Sequence, residues 1–421
     1  MVNSTAKSGN WQKKRILDSK GFQNIAFDEV NELLIRERAG RKLFLTSGEV
    51  LIDFISCSYL GLDLDKRVIE ASSNNIYKCG VTFPAARTRA VVESFGVLET
   101  LLNKIFCDSF STIFSSLHLA HLGFIPMLGS GELPSFPINS NGPVFIVDKN
   151  AHASIQINRA LMMQFGTVEI INLVETHALE VLLKNCVANQ QTPIMIADSI
   201  GSMGGSVPVT LLYSLVEKYD GYLYLDDAHG TSVFGRYGCG YVLECLDHFF
   251  PKRLILASSL SKAFGGVAGV IALPTHADSK MIKRYSQTYI FGGPPPLSII
   301  DSAIASARIH LTEEIRQLQD KLWDNVKYFD EVFGSRAINY GVKSPIRGIL
   351  IGDEFKTIKA AKILQREGFA LTTAMYPTVE KGKGMLRVAL SALHTKEDID
   401  RFCAFSESSV IKYPKSYENT I

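Results

Sequence analysis

The sequence has 421 residues, of which 46% are hydrophobic and 20% are charged, and its formal net charge is +2. This composition excludes a disordered chain, and the length allows two or three domains. The balanced charge, without long runs of one sign, gives no indication of nucleic-acid or membrane-surface binding. Seven scattered cysteines without metal-ligand spacing and a polar N-terminus without an apolar signal core predict reduced thiols, no metal site and a cytoplasmic location.

The first region, residues 1–58, is predicted to be an N-terminal arm with a hairpin. Residues up to about 20 are polar, and residues 25–38 have the apolar spacing of a helix. Two apolar runs at 42–45 and 50–56, separated by a turn at 46–49, indicate the hairpin.

The central region, residues 59–295, has the pattern of a large α/β domain. A helix is predicted over residues 66–78, and amphipathic stretches such as 178–189 and 211–219 alternate with short apolar runs. These runs cover residues 111–114, 144–147, 169–173, 194–197, 221–225 and 254–257. The alternation predicts a mainly parallel, doubly wound sheet, in which ligands bind beyond the carboxyl ends of the strands.

The last region, residues 296–421, is predicted to be a smaller α+β domain. It begins after a glycine- and proline-rich segment at 289–296 that interrupts the alternation. A long helix is expected over residues 297–333, with strands near 346–351 and 385–390 and helices near 356–367 and 396–405.

The stretch 254–272 has one charged residue, Lys262, among apolar and small residues. A poorly solvated ammonium favours its neutral, nucleophilic amine, and the nearby glycines permit the close approach of a flat ligand. The pattern suits a lysine that forms a Schiff base with a phosphate-bearing aldehyde. The lysine and the glycine pairs argue against a membrane span, whereas a surface turn with a solvated lysine stays open from this stretch alone.

Two aspartates and a histidine follow the predicted strand at 221–225. Asp226 can hold a protonated ring nitrogen by a charge-assisted hydrogen bond, the interaction that keeps a pyridine cofactor an electron sink. His229 can reach a neighbouring ring oxygen. A metal site or a helix N-cap is the alternative, although no further His or Cys lies nearby at ligand spacing.

Two weaker signals follow other predicted strands. His152 is placed where an imidazole can lie over the face of a bound aromatic ring, although a lone histidine is more often structural. Asp198 and Ser202, in a glycine-rich loop, can serve a ring oxygen or a substrate.

Four motifs occur in a fixed order between residues 148 and 266: D-x-x-x-H-A-S, S-M-x-G, D-D-A-H-G-T-x-x-x-G-x-x-G-x-G and S-x-S-K-x-F-G-G. This order closely resembles the α-oxoamine synthases, a family of pyridoxal-phosphate enzymes that includes aminooxononanoate synthase and serine palmitoyltransferase. The resemblance extends from about residue 42 to residue 395. It implies a fold-type I pyridoxal-phosphate transferase, with a mainly parallel seven-stranded sheet between helices.

The resemblance implies a role for each matched residue. Lys262 corresponds to the lysine that binds the cofactor and later moves the substrate's α-proton, and Asp226 to the partner of the pyridinium nitrogen. The other matched residues are expected to contact the cofactor or the substrate: His229 the phenolic oxygen, His152 the ring face, Ser202 the ring oxygen, Ser259 the phosphate and Arg387 the substrate carboxylate. Bidentate recognition is a physical reason for an arginine at 387.

Some positions depart from the family pattern near the expected cofactor. Ser116-Leu117-His118 stands where Ser-Gly-aromatic is usual, so Leu117 is expected to narrow the phosphate cradle and His118 to replace the aromatic ring. Asp198 stands where glutamate is common, and Gly292 where a serine or threonine usually reaches the partner subunit's phosphate.

Other departures lie around the expected substrate mouth. Cys57-Ser58 replaces Asn-Asp, and Met375 falls where some relatives have a second arginine. Arg87 and Arg89 are candidates to meet the phosphates of a thioester. We therefore expect substrates other than those of the housekeeping enzymes.

The resemblance implies an acyltransferase that condenses an amino acid with an acyl thioester, from coenzyme A or a carrier protein. Loss of carbon dioxide would give an α-amino ketone, and a homodimer with shared active sites is expected. The alternatives are a pyridoxal-phosphate aminotransferase or decarboxylase without acyl transfer, and a non-catalytic subunit of a heteromeric synthase. The presence of Lys262, Asp226, His152 and His229 argues against the last of these.

Overall fold

The structure, a computed structural model, describes residues 11–409. These residues form two compact units. The larger unit contains residues 57–323, and the smaller contains the described residues before 57 and after 323.

The chain begins with a helix and three strands of the smaller unit: α1 (Trp11–Glu29), β1 (Ile35–Ala39), β2 (Lys42–Leu45) and β3 (Val50–Asp53). Strands β2 and β3 pair antiparallel, as the predicted hairpin requires. The prediction of a loose polar arm up to about residue 20 is wrong for residues 11–20, which belong to α1. Residues 1–10 of the predicted arm lie outside the described part of the chain. The buried side of α1 carries Phe22 and Ala26, whereas Ile25 is exposed.

The larger unit contains these elements: α2 (Lys66–Ala71), α3 (Ile76–Cys79), α4 (Glu93–Ile105), β4 (Phe110–Phe114), α5 (Leu117–Gly129), β5 (Pro143–Asp148), α6 (Ala153–Gln156), α7 (Arg159–Met162), β6 (Thr167–Ile171), α8 (Thr176–Ala188), β7 (Thr192–Asp198), α9 (Val209–Lys218), β8 (Tyr222–Asp226), α10 (Tyr241–Cys245), β9 (Leu254–Ser259), β10 (Gly269–Leu273), α11 (His276–Tyr285), α12 (Gln287–Phe291), α13 (Leu297–His310) and the first half of α14 (Glu314–Phe333). The predicted helices at 66–78 and 297–333 are each divided into two.

The seven strands of this unit form one sheet in the order β4-β10-β9-β8-β7-β5-β6. Only β10 is antiparallel to its neighbours, so the fold is the predicted α/β arrangement. The sequence predicts a strand at 254–257, within β9, but none at the position of β10. The lysine loop, residues 260–268, separates them and reverses the chain.

Alternate residues of the central strands enter two different cores. On β8, Leu223 and Leu225 face one core, and Tyr222 and Tyr224 face the core that includes Phe124 of α5. Both faces of the sheet are therefore covered, as expected for parallel strands with continuous apolar runs.

The C-terminal elements of the smaller unit are β11 (Ile346–Gly352), α15 (Glu354–Arg366), β12 (Phe369–Ala370), β13 (Thr372–Ala374), β14 (Gly384–Ala389) and α16 (Lys396–Ser409). Strand β12 pairs with β3, so the N-terminal strands belong to this unit rather than to a domain of their own. The observed boundary falls within α14 instead of at 295/296, because Ile300, Ala303 and Ala307 of α13 belong to a core of the larger unit. Among residues 11–409, no helix is both long and apolar enough to cross a bilayer.

Candidate active site

The carboxyl ends of neighbouring parallel strands bring several predicted residues to one edge of the large sheet. Asp198 and Asp226 end β7 and β8 and are paired directly across these strands. His152 follows β5, and Lys262 follows β9. The positive charge of Lys262 acts on the pKa values of the other three residues, so all four lie within electrostatic reach.

Asp226 is a buried anion at this edge. Its Oδ1 accepts the backbone N–H of Ala228 at 2.9 Å, and its Oδ2 lies 3.1 Å from Nε2 of His121. Burial acts to raise the pKa of this carboxyl, but the hydrogen bond and charge of His121 and the charge of Lys262 hold the pKa below its ordinary value. Asp226 can therefore present a negative charge to a cationic ring nitrogen.

The pKa of Asp198 is shifted in the opposite direction from that of Asp226. Burial, followed by the negative charge of Asp226, raises the pKa of Asp198 well above its ordinary range. Its Oδ2 accepts the backbone N–H of His152 at 2.6 Å. This bond fixes the chain where His152 caps the start of α6 and accepts the N–H of Ser154.

Desolvation lowers the pKa of His152. The imidazole is therefore neutral at pH 7, and its Nδ1 lies 2.8 Å from Oγ of Ser154. A neutral, oriented imidazole suits the stacking role that the sequence predicts.

His229 is oriented by Tyr59, a residue to which the sequence analysis gave no role. The Tyr59 hydroxyl lies 2.9 Å from Nδ1 of His229, and both side chains are buried. The segment after Tyr59 also lies against the lysine loop. Gly265 has φ +77°, and a Cβ there would come within 2.6 Å of the backbone nitrogen of Asp63. These loops converge only because position 265 has no side chain.

The second aspartate, Asp227, is a structural residue rather than a metal ligand. It is fully buried, its Oδ1 accepts the hydroxyl of Ser199, and burial raises its pKa to about 8. Among the described residues, no group of three His, Cys, Asp or Glu is arranged to hold a metal ion.

The N-terminus of α5 lies near the same site. Ser116 caps this helix by accepting the N–H of Leu119, and Leu117 and His118 form its first turn. His118 acts on the pKa of His152, which places it within electrostatic reach. Gly269 of β10 makes room for the start of α5, since a side chain there would overlap the backbone of Ser116 and Leu117. The first-turn amides of such a helix favour an anion.

The remaining predicted cofactor contacts are serines in loops. Ser259 is buried at the end of β9, and its Oγ lies 2.7 Å from Oγ of Ser261. Ser202 is half-buried in a tight loop after β7, closed by the N–H of Gly201 bonding to the carbonyl of Gly205 at 2.7 Å.

The position of Arg87 differs from the expectation that this residue meets the phosphates of a thioester. It is buried, its Nη1 donates to the carbonyl of Ile113 at 2.6 Å, and its guanidinium lies 3.7 Å from the ring centre of Tyr289. Burial lowers the pKa of Arg87. A guanidinium packed in this way cannot meet the phosphates of a thioester, whereas Arg89 is exposed.

Two predicted substrate residues occupy different units. Cys57 is half-buried at the start of the larger unit, where its carbonyl accepts the N–H of Tyr59. Arg387 belongs to the smaller unit, is buried, and pairs with Gly348 and Thr372 across the sheet β11-β14-β13.

The comparison with known proteins agrees with this constellation. Residues 141–405 match the family Aminotransferase class I and II. An 8-amino-7-oxononanoate synthase of Coprothermobacter proteolyticus is 31% identical over 366 residues, which cover 85% of this chain and 87% of that protein. The corresponding protein of Petrotoga mobilis is also 31% identical, covering 84% and 87%.

The chain belongs to the α-oxoamine synthase family. Solved structures share the fold of this α-oxoamine synthase. Serine palmitoyltransferase of Sphingomonas wittichii has a TM-score of 0.78 at 20% identity, covering 94% of this chain and 98% of that one. 8-Amino-7-oxononanoate synthase of Francisella tularensis has a TM-score of 0.67 at 21% identity, covering 86% and 99%.

The family cofactor is pyridoxal phosphate, and the described residues fit it. The site combines a lysine, a buried carboxylate with a lowered pKa, and a neutral imidazole. These groups match an aldehyde, a pyridine nitrogen and an aromatic face, respectively. The first turn of α5 offers backbone N–H groups to a phosphate. This α-oxoamine synthase is therefore a pyridoxal-phosphate-dependent acyltransferase.

Proposed function

We propose that the enzyme condenses an amino acid with an acyl thioester of coenzyme A or a carrier protein, with loss of carbon dioxide, to form an α-amino ketone. The convergence of Lys262, Asp226 and His152 at one strand edge carries the proposal. The relatives named 8-amino-7-oxononanoate synthase support it.

Pyridoxal phosphate, when bound, supplies an electron sink for negative charge at the substrate's α-carbon. Lys262 is the proposed nucleophile for its aldehyde, and its released amine would remove the α-proton. Asp226 would hold the ring nitrogen protonated. His229, oriented by Tyr59, would donate to the ring oxygen.

The remaining contacts fix the cofactor and exclude water. His152 would cover one ring face as a neutral imidazole, which avoids placing a second cation beside a protonated ring. Ser202 is proposed to contact the ring oxygen. Ser259 and the amides of Leu117 and His118 would bind the phosphate. Backbone N–H groups suffice to bind an anion at the start of a helix, so the Leu117 side chain would not need to contact it.

Substrate binding is proposed on the same family pattern. Arg387 would bind the amino acid carboxylate, and Cys57 would lie near the substrate. Arg89 remains a candidate for the thioester phosphates, because it is exposed. We further propose a homodimer with shared active sites and a cytoplasmic location.

The decisive experiment incubates the purified protein with pyridoxal phosphate, pooled amino acids and a panel of acyl-coenzyme A and acyl-carrier thioesters. We expect thiol release that depends on the amino acid, and a product mass equal to an acylated, decarboxylated amino acid. Lys262→Ala should abolish both, whereas Lys252→Ala, at an exposed position, should not.

The alternatives give different results in the same experiment. An aminotransferase or decarboxylase would show the visible absorbance of bound cofactor but no amino-acid-dependent thiol release with any donor. A non-catalytic subunit would show neither the absorbance nor a change of it in Lys262→Ala.

A further inference from the structure

A buried carboxyl group, Asp226, and a half-buried one, Asp198, compete for one negative charge at the strand edge. Asp198 and Asp226 face each other as the last residues of β7 and β8. Two adjacent carboxylates that are largely shielded from water do not both ionise without a large cost, so one of them keeps a proton. Which of the two carboxyl groups is ionised matters, because only Asp226 is proposed to face the cofactor's ring nitrogen.

A histidine and a tyrosine form a hydrogen-bonded chain that ends at Asp226. Tyr224 and Asp226 are two residues apart on β8, so their side chains project from the same face of the sheet. His121 of α5 packs on that face with no exposed surface. Its Nδ1 lies 2.6 Å from the Tyr224 hydroxyl, and its Nε2 lies 3.1 Å from Oδ2 of Asp226.

The proton positions in this chain follow from the partners. Burial, together with the negative charge of Asp226, raises the pKa of Tyr224 well above its ordinary value, so Tyr224 remains a phenol. Its O–H can donate to Nδ1, and Nε2–H then donates to the carboxylate. A protonated His121 would also donate from Nε2. In both forms the donor is directed at Asp226.

Asp198 has a different set of partners among the described residues. Its Oδ2 accepts the backbone N–H of His152, and its charged neighbours are Lys262, Asp148 and Asp226. Asp226 faces His121 and Lys262 and receives the N–H of Ala228. The difference between the two sites is therefore the side-chain donor on α5.

We propose that His121, held by Tyr224, is a positioning residue that makes Asp226 rather than Asp198 the anion of the site. This inference rests on the proposed role of Asp226 toward the cofactor. It adds that His121 and Tyr224 determine which of the two carboxyl groups is ionised, although neither residue is proposed to contact the cofactor or the substrate.

The test is a double-mutant cycle on cofactor binding, measured by equilibrium dialysis of the full-length protein with pyridoxal phosphate alone. His121→Leu removes the donor, so the charge is shared with Asp198, and we expect binding about 10- to 100-fold weaker, the usual worth of a hydrogen bond to a charged group. Adding Asp198→Asn removes the competing carboxyl and should recover most of that loss. Asp198→Asn alone completes the cycle.

Two further variants keep the test valid if His121→Leu does not fold. His121→Gln retains an N–H donor toward Asp226 and should bind the cofactor nearly as well as the parent. Tyr224→Phe leaves His121 without its hydroxyl partner and should shift the pH midpoint of the bound cofactor's visible absorbance. Circular dichroism and unfolding temperature establish that each variant is folded.

The outcomes distinguish a positioning role from a structural one. A merely structural His121 would give a loss of binding that Asp198→Asn does not recover, and this result would overturn the inference. So would a His121→Leu protein that binds the cofactor as tightly as the parent with the same absorbance midpoint. No thioester is used, so a failure of condensation would count against the proposed function and leave these results unaffected.

Discussion

The carboxyl group of Asp227 occupies the space that a side chain at Gly240 would fill. Gly240 also has a φ of +102°, a conformation that strains any residue with a Cβ. We expect Gly240→Ala to lower the free energy of unfolding by about 2–4 kcal/mol, measured by urea denaturation, through strain and overpacking. Gly205→Ala is the control, because no atom lies within 4 Å of its Cβ position. Equal stability of the two variants would contradict this packing.

The protonation of Asp227 predicts a pH dependence. Burial raises its pKa from 3.8 to about 8, so the folded protein retains a proton that the unfolded chain loses above pH 4. The folded state is therefore penalised by up to about 1.4 kcal/mol for each pH unit between those two values. Asp227→Asn removes this penalty.

Urea unfolding of the parent and of Asp227→Asn at pH 5, 6.5 and 8 checks the sign. We expect the variant to gain stability relative to the parent as the pH rises. A relative stability that is constant, or that falls with rising pH, would mean that Asp227 is ionised in the folded protein.

Arg87 and Arg89 form a matched pair of one buried and one exposed arginine. Arg87→Ala removes the packing on Tyr289 and the hydrogen bond to Ile113, so we expect unfolding to become easier by about 2–4 kcal/mol. Arg89→Ala should change stability by less than about 0.5 kcal/mol. The KM for the thioester is the second measurement. A higher KM in Arg87→Ala without a loss of stability would support the predicted contact between Arg87 and the thioester phosphates.

The strand ends could be predicted from the sequence, because each polar residue that they carry follows a continuous apolar run. Asp226, Lys262 and His152 were found in this way, and the order of their motifs identified the family. Strand β10 could not be predicted because its first residue, Gly269, continues the small-residue tract of the lysine loop. The first helix was misplaced because Ile25, which set its predicted start, lies on the exposed side.

The partner of Asp226 could not be predicted, because 105 residues separate it from His121. His121 lies in a helix that is apolar on all sides, where a histidine gives no local signal of its role. A useful signal was present nearby, since Tyr224 stands two residues before Asp226 on the same face of the strand, and a buried hydroxyl needs a partner. Tyr59 was missed for a similar reason, since 170 residues separate it from His229.

The proposed homodimer gives the last prediction. Phe83 and Val91 are exposed and line a cavity of about 840 Å³ in the larger unit. Tyr77, which precedes Lys78 of the same cavity in the sequence, is 91% exposed. Exposed apolar side chains grouped in this way are typical of a protein interface, and a second copy of the chain is the occupant we propose. Phe83→Asp should therefore shift the protein from dimer to monomer in size-exclusion chromatography with light scattering, because an unpaired charge is costly in an interface. Phe249→Asp is the control, since Phe249 is 65% exposed and does not line this cavity. A monomeric parent would refute the dimer, and a dimer that survives Phe83→Asp would place its interface elsewhere.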